Sequence, residues 1–193
     1  MTTVKLLSST KEPMELLKVA AGECYQSKTT DATIRHIVDA GHLSVLEHCY
    51  ASFEVTCSIL VLLQLTRHRH LSFTVQSSRG SKLTEVAKVG NPAIDDLVAM
   101  EMHWYKDIVE AADFIYDEAA YLLPKAAEYK LVVTGNFRAW FEYLPKRMCK
   151  RASEEHQQLA NLIYHELMLV CPEVFGQIKL NCKTCKEKGC SFK

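Results

Sequence analysis

The chain has 193 residues, 48% apolar and 24% charged, which suits one domain spanning 1–193 with a sizeable core. Its 23 basic side chains balance 23 acidic ones, and that neutrality argues against a protein that tracks a nucleic-acid backbone. Met1-Thr2-Thr3-Val4-Lys5 lacks a secretory layout, and the longest apolar run, Ser58 to Leu65, is too short to span a bilayer, so a cytoplasmic protein without membrane contact is expected.

Val4 to Leu7 suits a short strand. Met14, Leu16, Leu17, Val19 and Ala20 recur at helical spacing, which predicts a helix over 12–25 with Pro13 in its first turn. A second helix over 30–40 has Thr30 or Asp31 as its cap and Gly41 as its stop. From Cys49 to Thr56, Ala51, Phe53 and Val55 alternate with Tyr50, Ser52 and Glu54, the period of a strand. Ser58 caps an apolar helix that carries Gln64 and runs into Arg67. A linker-like piece follows Lys82 and ends at Asn91-Pro92. One long helix is expected over Ala93 to Leu123, closed by Pro124. Lys130 to Thr134 is β-branched and strand-like, Asn136 can begin another helix, and Ala152 to Leu169 is amphipathic. The fold class is therefore α+β: a helix-rich single domain with a small mixed or antiparallel sheet.

Residues 67–79 carry the chemistry. Arg67, His68 and Arg69 follow apolar sequence that reads as core, and like charges packed together are costly without an anionic partner. Downstream, Ser72, Thr74, Gln76, Ser77, Ser78 and Arg79 add hydroxyls, an amide and a guanidinium, groups that suit phosphate oxygens and the edge of a heterocycle. The competing reading is a basic helix end satisfied by solvent and a neighbouring carboxylate.

The eight cysteines, at 24, 49, 57, 149, 171, 182, 185 and 190, read as reduced thiols rather than a disulfide framework, with Cys57 in the core. Cys182, Cys185 and Cys190 lie in a tail over 180–193. Three local sulfurs fall short of the four ligands that structural zinc takes, so no metal site is expected.

Set in order, these segments resemble the flavin-dependent thymidylate synthases. Their signature is Arg-His-Arg, seven residues, then Ser, matched here by Arg67-His68-Arg69 and Ser77. Gly41 to His48 looks like the family's His-x-Ser/Thr-x-x-Glu-His segment. Gln64 sits where the family has a nucleotide-contacting glutamine, and Asn136-x-Arg138 resembles its flavin-contacting pair. Arg147, eleven residues after Asn136, falls at its pyrimidine-activating arginine, and Ala152 and Glu155 fit the pattern beyond it.

The resemblance implies a homotetramer with active sites between subunits. FAD would be held by His42, Ser44, Glu47, Arg67, His68, Arg69, Asn136 and Arg138. A pyrimidine deoxynucleotide monophosphate would be held by Gln64, Arg67, Gln76, Ser77, Ser78, Arg79 and Arg147, with Ser77 and Arg79 coming from a neighbouring subunit. Arg147 and His68 would be catalytic, methylenetetrahydrofolate the one-carbon donor and NADPH the reductant. No Gly-x-Gly-x-x-Gly element is present, so a Rossmann-type cofactor site is not expected. Ser77 could be a nucleophile by position, but no base and orienting partner surround it in the sequence, and it reads as a phosphate ligand.

Four departures from the family pattern stand out: Thr74-Val75 replaces Asn/Ser-Glu/Gln, Gly80 a tyrosine, Ala120 a nucleotide-contacting arginine and Glu142 a flavin-contacting asparagine. Arg151 or Lys150 would have to substitute for the missing arginine. Deoxyuridylate methylation is the leading expectation, with deoxycytidylate 5-hydroxymethylation as the alternative and a non-catalytic flavin- or nucleotide-binding protein as a distant third.

Overall fold

The computed structural model describes residues 2–111, 116–180, 182 and 185–192. Four strands form one antiparallel sheet in the order β1-β2-β4-β3: β1 is Thr3–Ser9, β2 Tyr50–Ser58, β3 Leu71–Val75 and β4 Glu128–Asn136. The central pair runs in continuous register from Tyr50 opposite Asn136 to Ser58 opposite Glu128. Alternation sorts the faces, since side chains of period two point to opposite sides. Ala51, Phe53, Val55 and Cys57 of β2, with Leu131 and Val133 of β4, are buried. On the other face Ser52 and Thr134 share a 2.8 Å hydrogen bond.

Helices α1 (Pro13–Tyr25), α2 (Asp31–Asp39), α6 (Phe137–Arg147), α7 (Glu154–Val170) and α8 (Pro172–Phe175) contribute to one buried cluster with the strands, including Leu17, Ile34, Trp140, Ile163 and Phe175. Their ends follow local chemistry. Thr30 and Thr33 form a reciprocal capping box at α2, and the Ser58 hydroxyl accepts from the Val61 amide at the start of α3 (Ile59–Leu65). Asn136 caps α6 by accepting from the Ala139 amide at 2.8 Å. Cys57 is fully buried and its thiol is pushed up to about 12, chiefly by burial.

Two expectations change. Where the sequence reading finds only ligand-bearing side chains, Leu71–Val75 pairs with β4 as an edge strand. The helix expected over Ala93 to Leu123 is not continuous: α4 runs Pro92–Glu110, and a separate short helix α5, Tyr116–Ala119, leads into a 3-10 turn at Ala120–Leu122. Residues 112–115, within that expectation, lie outside the described residues. So do Lys183 and Thr184, which link two of the tail cysteines. Only Met102 and Tyr105 of α4 are buried, while Ile94, Leu97, Met100 and Trp104 point outward, Leu97 and Trp104 at 60% and 57% exposure. Among the described residues no helix is long and apolar enough to cross a membrane.

Candidate active site

Gln64 and His68 reach the site because α3 is clipped at its start. The Glu155 carboxylate of α7 accepts from the Ser58 amide at 2.8 Å and from the Ser58 hydroxyl at 2.6 Å, and also from the Thr2 hydroxyl at 3.1 Å. This fixes where the helix begins, and Gln64 lies within its last turn. The chain then turns, with His68 N–H donating to the Leu65 carbonyl, and enters β3 at Leu71.

Arg147 closes α6 and points at that turn. Its Nε donates to His68 Nε2 at 2.9 Å, its Nη1 to Gln64 Oε1 at 3.3 Å and its Nη2 to the Gln64 carbonyl at 3.4 Å. A guanidinium only donates, so His68 Nε2 must be an acceptor and the ring a neutral imidazole with its proton on Nδ1. Burial, then the charges of Arg147 and Lys146, push the His68 pKa down to about 4, in keeping with that state. The ring is braced edge-on against Tyr143 at 4.8 Å between centroids.

Behind this front stands a layer that the sequence reading does not assign. His156, fully buried on α7, places Nε2 3.2 Å from the Tyr143 hydroxyl and Nδ1 3.4 Å from Gln64 Oε1. Its pKa is depressed to about 3, first by burial and then by Arg147 and His68. Burial also pushes the Tyr143 phenol up. The available signals were spacing alone: Tyr143 precedes Arg147 by one helical turn, and His156 interrupts an otherwise apolar stripe with Leu159, Ala160 and Ile163.

Arg67 and Arg69 are exposed beside this cluster, and among the described residues neither has an ion-pair partner. Next to them lies a cavity of about 230 Å³ lined by Glu47, His70, Asn136, Arg138, Ala139 and Glu142. The 3-10 turn Leu43–His48, which carries Ser44 and Glu47, is tied there because the Phe137 amide donates to the Cys49 carbonyl at 2.8 Å. Arg138 donates to Glu47 at 2.6 Å and to Glu142 at 3.0 Å, and these carboxylates, Glu142 first, hold its pKa up. Asn136 spends its side-chain oxygen on the α6 cap, and its amide N–H groups have no partner among the described residues. His42 and Ser44 are exposed on the same turn.

The loop after β3 forms a separate group. Gln76 uses its amide on the Lys130 N–H at 3.2 Å and the Ser81 hydroxyl at 3.1 Å, and Ser77 Oγ accepts from the Arg79 amide at 3.2 Å. Ser78 is half-buried between them. Arg79 pairs with Asp117 of α5 at 3.0 Å, which brings it to the helix that precedes Ala120. Arg151, one of the two substitutes for the missing arginine, instead pairs with Glu187 of the tail at 2.7 Å. Among the described residues no hydrogen bond or ion pair joins this loop to the Arg147 cluster.

Residues 5–173 match the family described as Thymidylate synthase complementing protein. The chain is 32% identical over 202 residues to the flavin-dependent thymidylate synthase of Mycolicibacterium gilvum, covering 86% of this chain and 79% of that one. It is also 32% identical over 194 residues to a probable flavin-dependent thymidylate synthase of Mycobacterium phage D29, covering 85% and 83%. In structure it is similar to Thymidylate Synthase X of Helicobacter pylori, crystallised with FAD and dUMP, at a TM-score of 0.83 and 21% identity over 94% of this chain and 100% of the other. With 169 consecutive residues matched, well over half its length, the chain belongs to the flavin-dependent thymidylate synthase family.

Proposed function

We propose that this protein makes deoxythymidylate, transferring the one-carbon unit of methylenetetrahydrofolate to carbon 5 of deoxyuridylate with FAD as its redox cofactor. One observation carries the reading: the Arg147 guanidinium is held at three points by His68 and Gln64, with Arg67 and Arg69 exposed on the adjoining turn. Carbon 5 of a pyrimidine attacks an electrophilic carbon only as negative charge builds on the ring's nitrogen and oxygen atoms. A guanidinium already oriented toward that charge lowers the barrier without reorganising, and such preorganised donors are worth about 10²–10³ in rate.

The residues fit a flavin dinucleotide. Arg67 and Arg69 have no carboxylate partner among the described residues, which suits a pyrophosphate, while Arg138 is neutralised by Glu47 and Glu142 and suits the polar edge of a sugar or ring. The cavity of about 230 Å³ is smaller than the roughly 300–1,000 Å³ of usual small-molecule sites, so the cofactor must also lie against a second surface. The outward apolar stripe of Ile94, Leu97, Met100 and Trp104 on α4 supports assembly into a homotetramer that supplies it. Bound flavin supplies the hydride that completes the methyl group, after reduction by a nicotinamide cofactor such as NADPH.

His42, Ser44, Glu47, Asn136 and Arg138 join Arg67, His68 and Arg69 around the cofactor in this proposal. Gln64 and Arg147 face the base, and the Gln76–Arg79 loop of a neighbouring subunit grips the phosphate. Ser77 acts as a phosphate ligand: its hydroxyl is engaged by the Arg79 amide and has no basic partner among the described residues. The chain works as one cytoplasmic domain without metal. Deoxycytidylate hydroxymethylation is not favoured, because the relatives are named thymidylate synthases. The test is incubation with methylenetetrahydrofolate, NADPH and either deoxyuridylate or deoxycytidylate, read by mass spectrometry. Deoxythymidylate from deoxyuridylate alone is the expected product, and 5-hydroxymethyl-deoxycytidylate would overturn the reading.

A further inference from the structure

We infer that His156 is a positioning residue that fixes the orientation of the Gln64 side-chain amide, so that its NH₂ group faces the nucleotide and selects uracil over cytosine. The inference rests on the proposed function for its substrate, but its geometry stands on the protein alone. The argument is a proton count along the chain Arg147, Gln64, His156, Tyr143. Arg147 Nη1 can only donate, so the Gln64 atom facing it is the carbonyl oxygen. That oxygen also faces His156 Nδ1, which must then carry the imidazole proton. Nε2 is left as an acceptor, and the one group beside it is the Tyr143 hydroxyl, which donates. Every member is satisfied in a single arrangement, and in it the Gln64 NH₂ has no partner among the described residues. Gln64 is only half-buried, and this amide nitrogen is the part of its side chain left for a ligand.

Arg147 alone cannot hold this orientation during the reaction, since the base competes for the same guanidinium. His156 has no such competitor. It is fully buried between α3, α6 and α7, and the titratable or charged groups that face it are Tyr143, Arg147 and His68. The consequence is chemical selection. A fixed NH₂ places a donor opposite O4 of uracil, an acceptor, where cytosine carries its exocyclic amine, itself a donor. A site that leaves a polar group of the wrong ligand unpaired rejects that ligand strongly. Released, the amide can rotate by half a turn and present its oxygen to cytosine.

The test uses the flavin-loaded full-length protein. His156→Leu removes the lock, and His156→Asn restores a donor where Nδ1 stood. Expected for His156→Leu are about a tenfold rise in KM for deoxyuridylate with kcat changed less than threefold, and about a tenfold narrowing of the deoxyuridylate-to-deoxycytidylate binding ratio. His156→Asn should recover most of both. Tyr143→Phe, which frees Nε2 with little change of shape, should move both values in the same direction by less, and serves if the leucine variant does not fold. Nitrogen-15 spectra of labelled wild-type protein should show His156 neutral, with its proton on Nδ1, down to pH 5. A ring protonated on Nε2, or a binding ratio unchanged within twofold in folded His156→Leu, overturns the inference. Wild-type protein that binds neither nucleotide would refute the proposed function instead, and the spectra would still decide whether the lock exists.

Discussion

Replacing Glu155 by alanine should loosen both the fold and the site. The carboxylate accepts three hydrogen bonds, two of them at 2.8 and 2.6 Å from Ser58, a residue only 2% exposed. Charge-assisted bonds are worth about 1.5–3 kcal/mol each, and a buried amide left without a partner costs about 1–3 kcal/mol. These contributions overlap, since losing the acceptor is what orphans the amide, so a net loss of about 3 kcal/mol is expected. For a chain of this size that corresponds to a drop in Tm of about 6–12 °C. Glu155→Gln keeps one acceptor oxygen for the Ser58 amide and should lose about half as much. Because α3 starts at this clip and Gln64 sits in its last turn, KM for deoxyuridylate should rise in the alanine variant. Calorimetric melting and steady-state kinetics measured side by side check both effects. A Tm lowered by less than 2 °C with an unchanged KM would show that Glu155 does not place the helix.

Arg147→Ala should reduce turnover by at least a hundredfold while flavin absorbance is retained, and activity within tenfold of the parent would remove the ring-activating role. Arg147→Lys should fare little better, because one ammonium cannot reach His68, Gln64 Oε1 and the Gln64 carbonyl together. His68 and His156 are both held neutral in the folded protein, at about 4 and about 3 against an ordinary 6.5. Their contribution to stability is therefore full above pH 6.5 and lost as pH falls toward 4, which urea unfolding at pH 7.5 and pH 5 should reveal as a lower midpoint in acid. Gly135→Ala should cost about 1–3 kcal/mol by overpacking, since a Cβ there would strike Leu71 and lie 3.1 Å from Trp140 Nε1, which is held by its bond to the Ala51 carbonyl.

Local chemistry in the sequence located most elements. Thr30, Ser58 and Asn136 begin helices because their side chains satisfy amides that would otherwise be orphaned, and that tendency is visible in a few neighbouring residues. β3 was hidden because Ser72 and Thr74 drew attention as ligands while Leu71 and Phe73 alternated with them as core-facing positions. The continuous helix over Ala93 to Leu123 failed for a different reason: no proline or glycine interrupts 93–123, so nothing local marks the end of α4 at Glu110. The Arg-His-Arg segment is legible from its packed charge beside apolar sequence, and Arg147 from spacing shared with the family. His156 and Tyr143 are not, because a buried imidazole gains its meaning from groups 92 and 13 positions away. Three segments had to be folded together before the proton count could be made.

The strand order has a bearing on how the protein comes off the ribosome. β2 occupies the middle of the sheet but its inner neighbour, β4, is made far later; Trp140 just beyond β4 finds its Ala51 partner 89 positions back. Until then Phe53, Val55 and the open edge of β2 have only β1 beside them, so a nascent chain halted before residue 128 presents a sticky, half-paired ribbon. Synthesis of the last third is thus the step that both buries that ribbon and brings Arg147 to His68, and fragments ending earlier should be prey for chaperones and proteases, never weak catalysts.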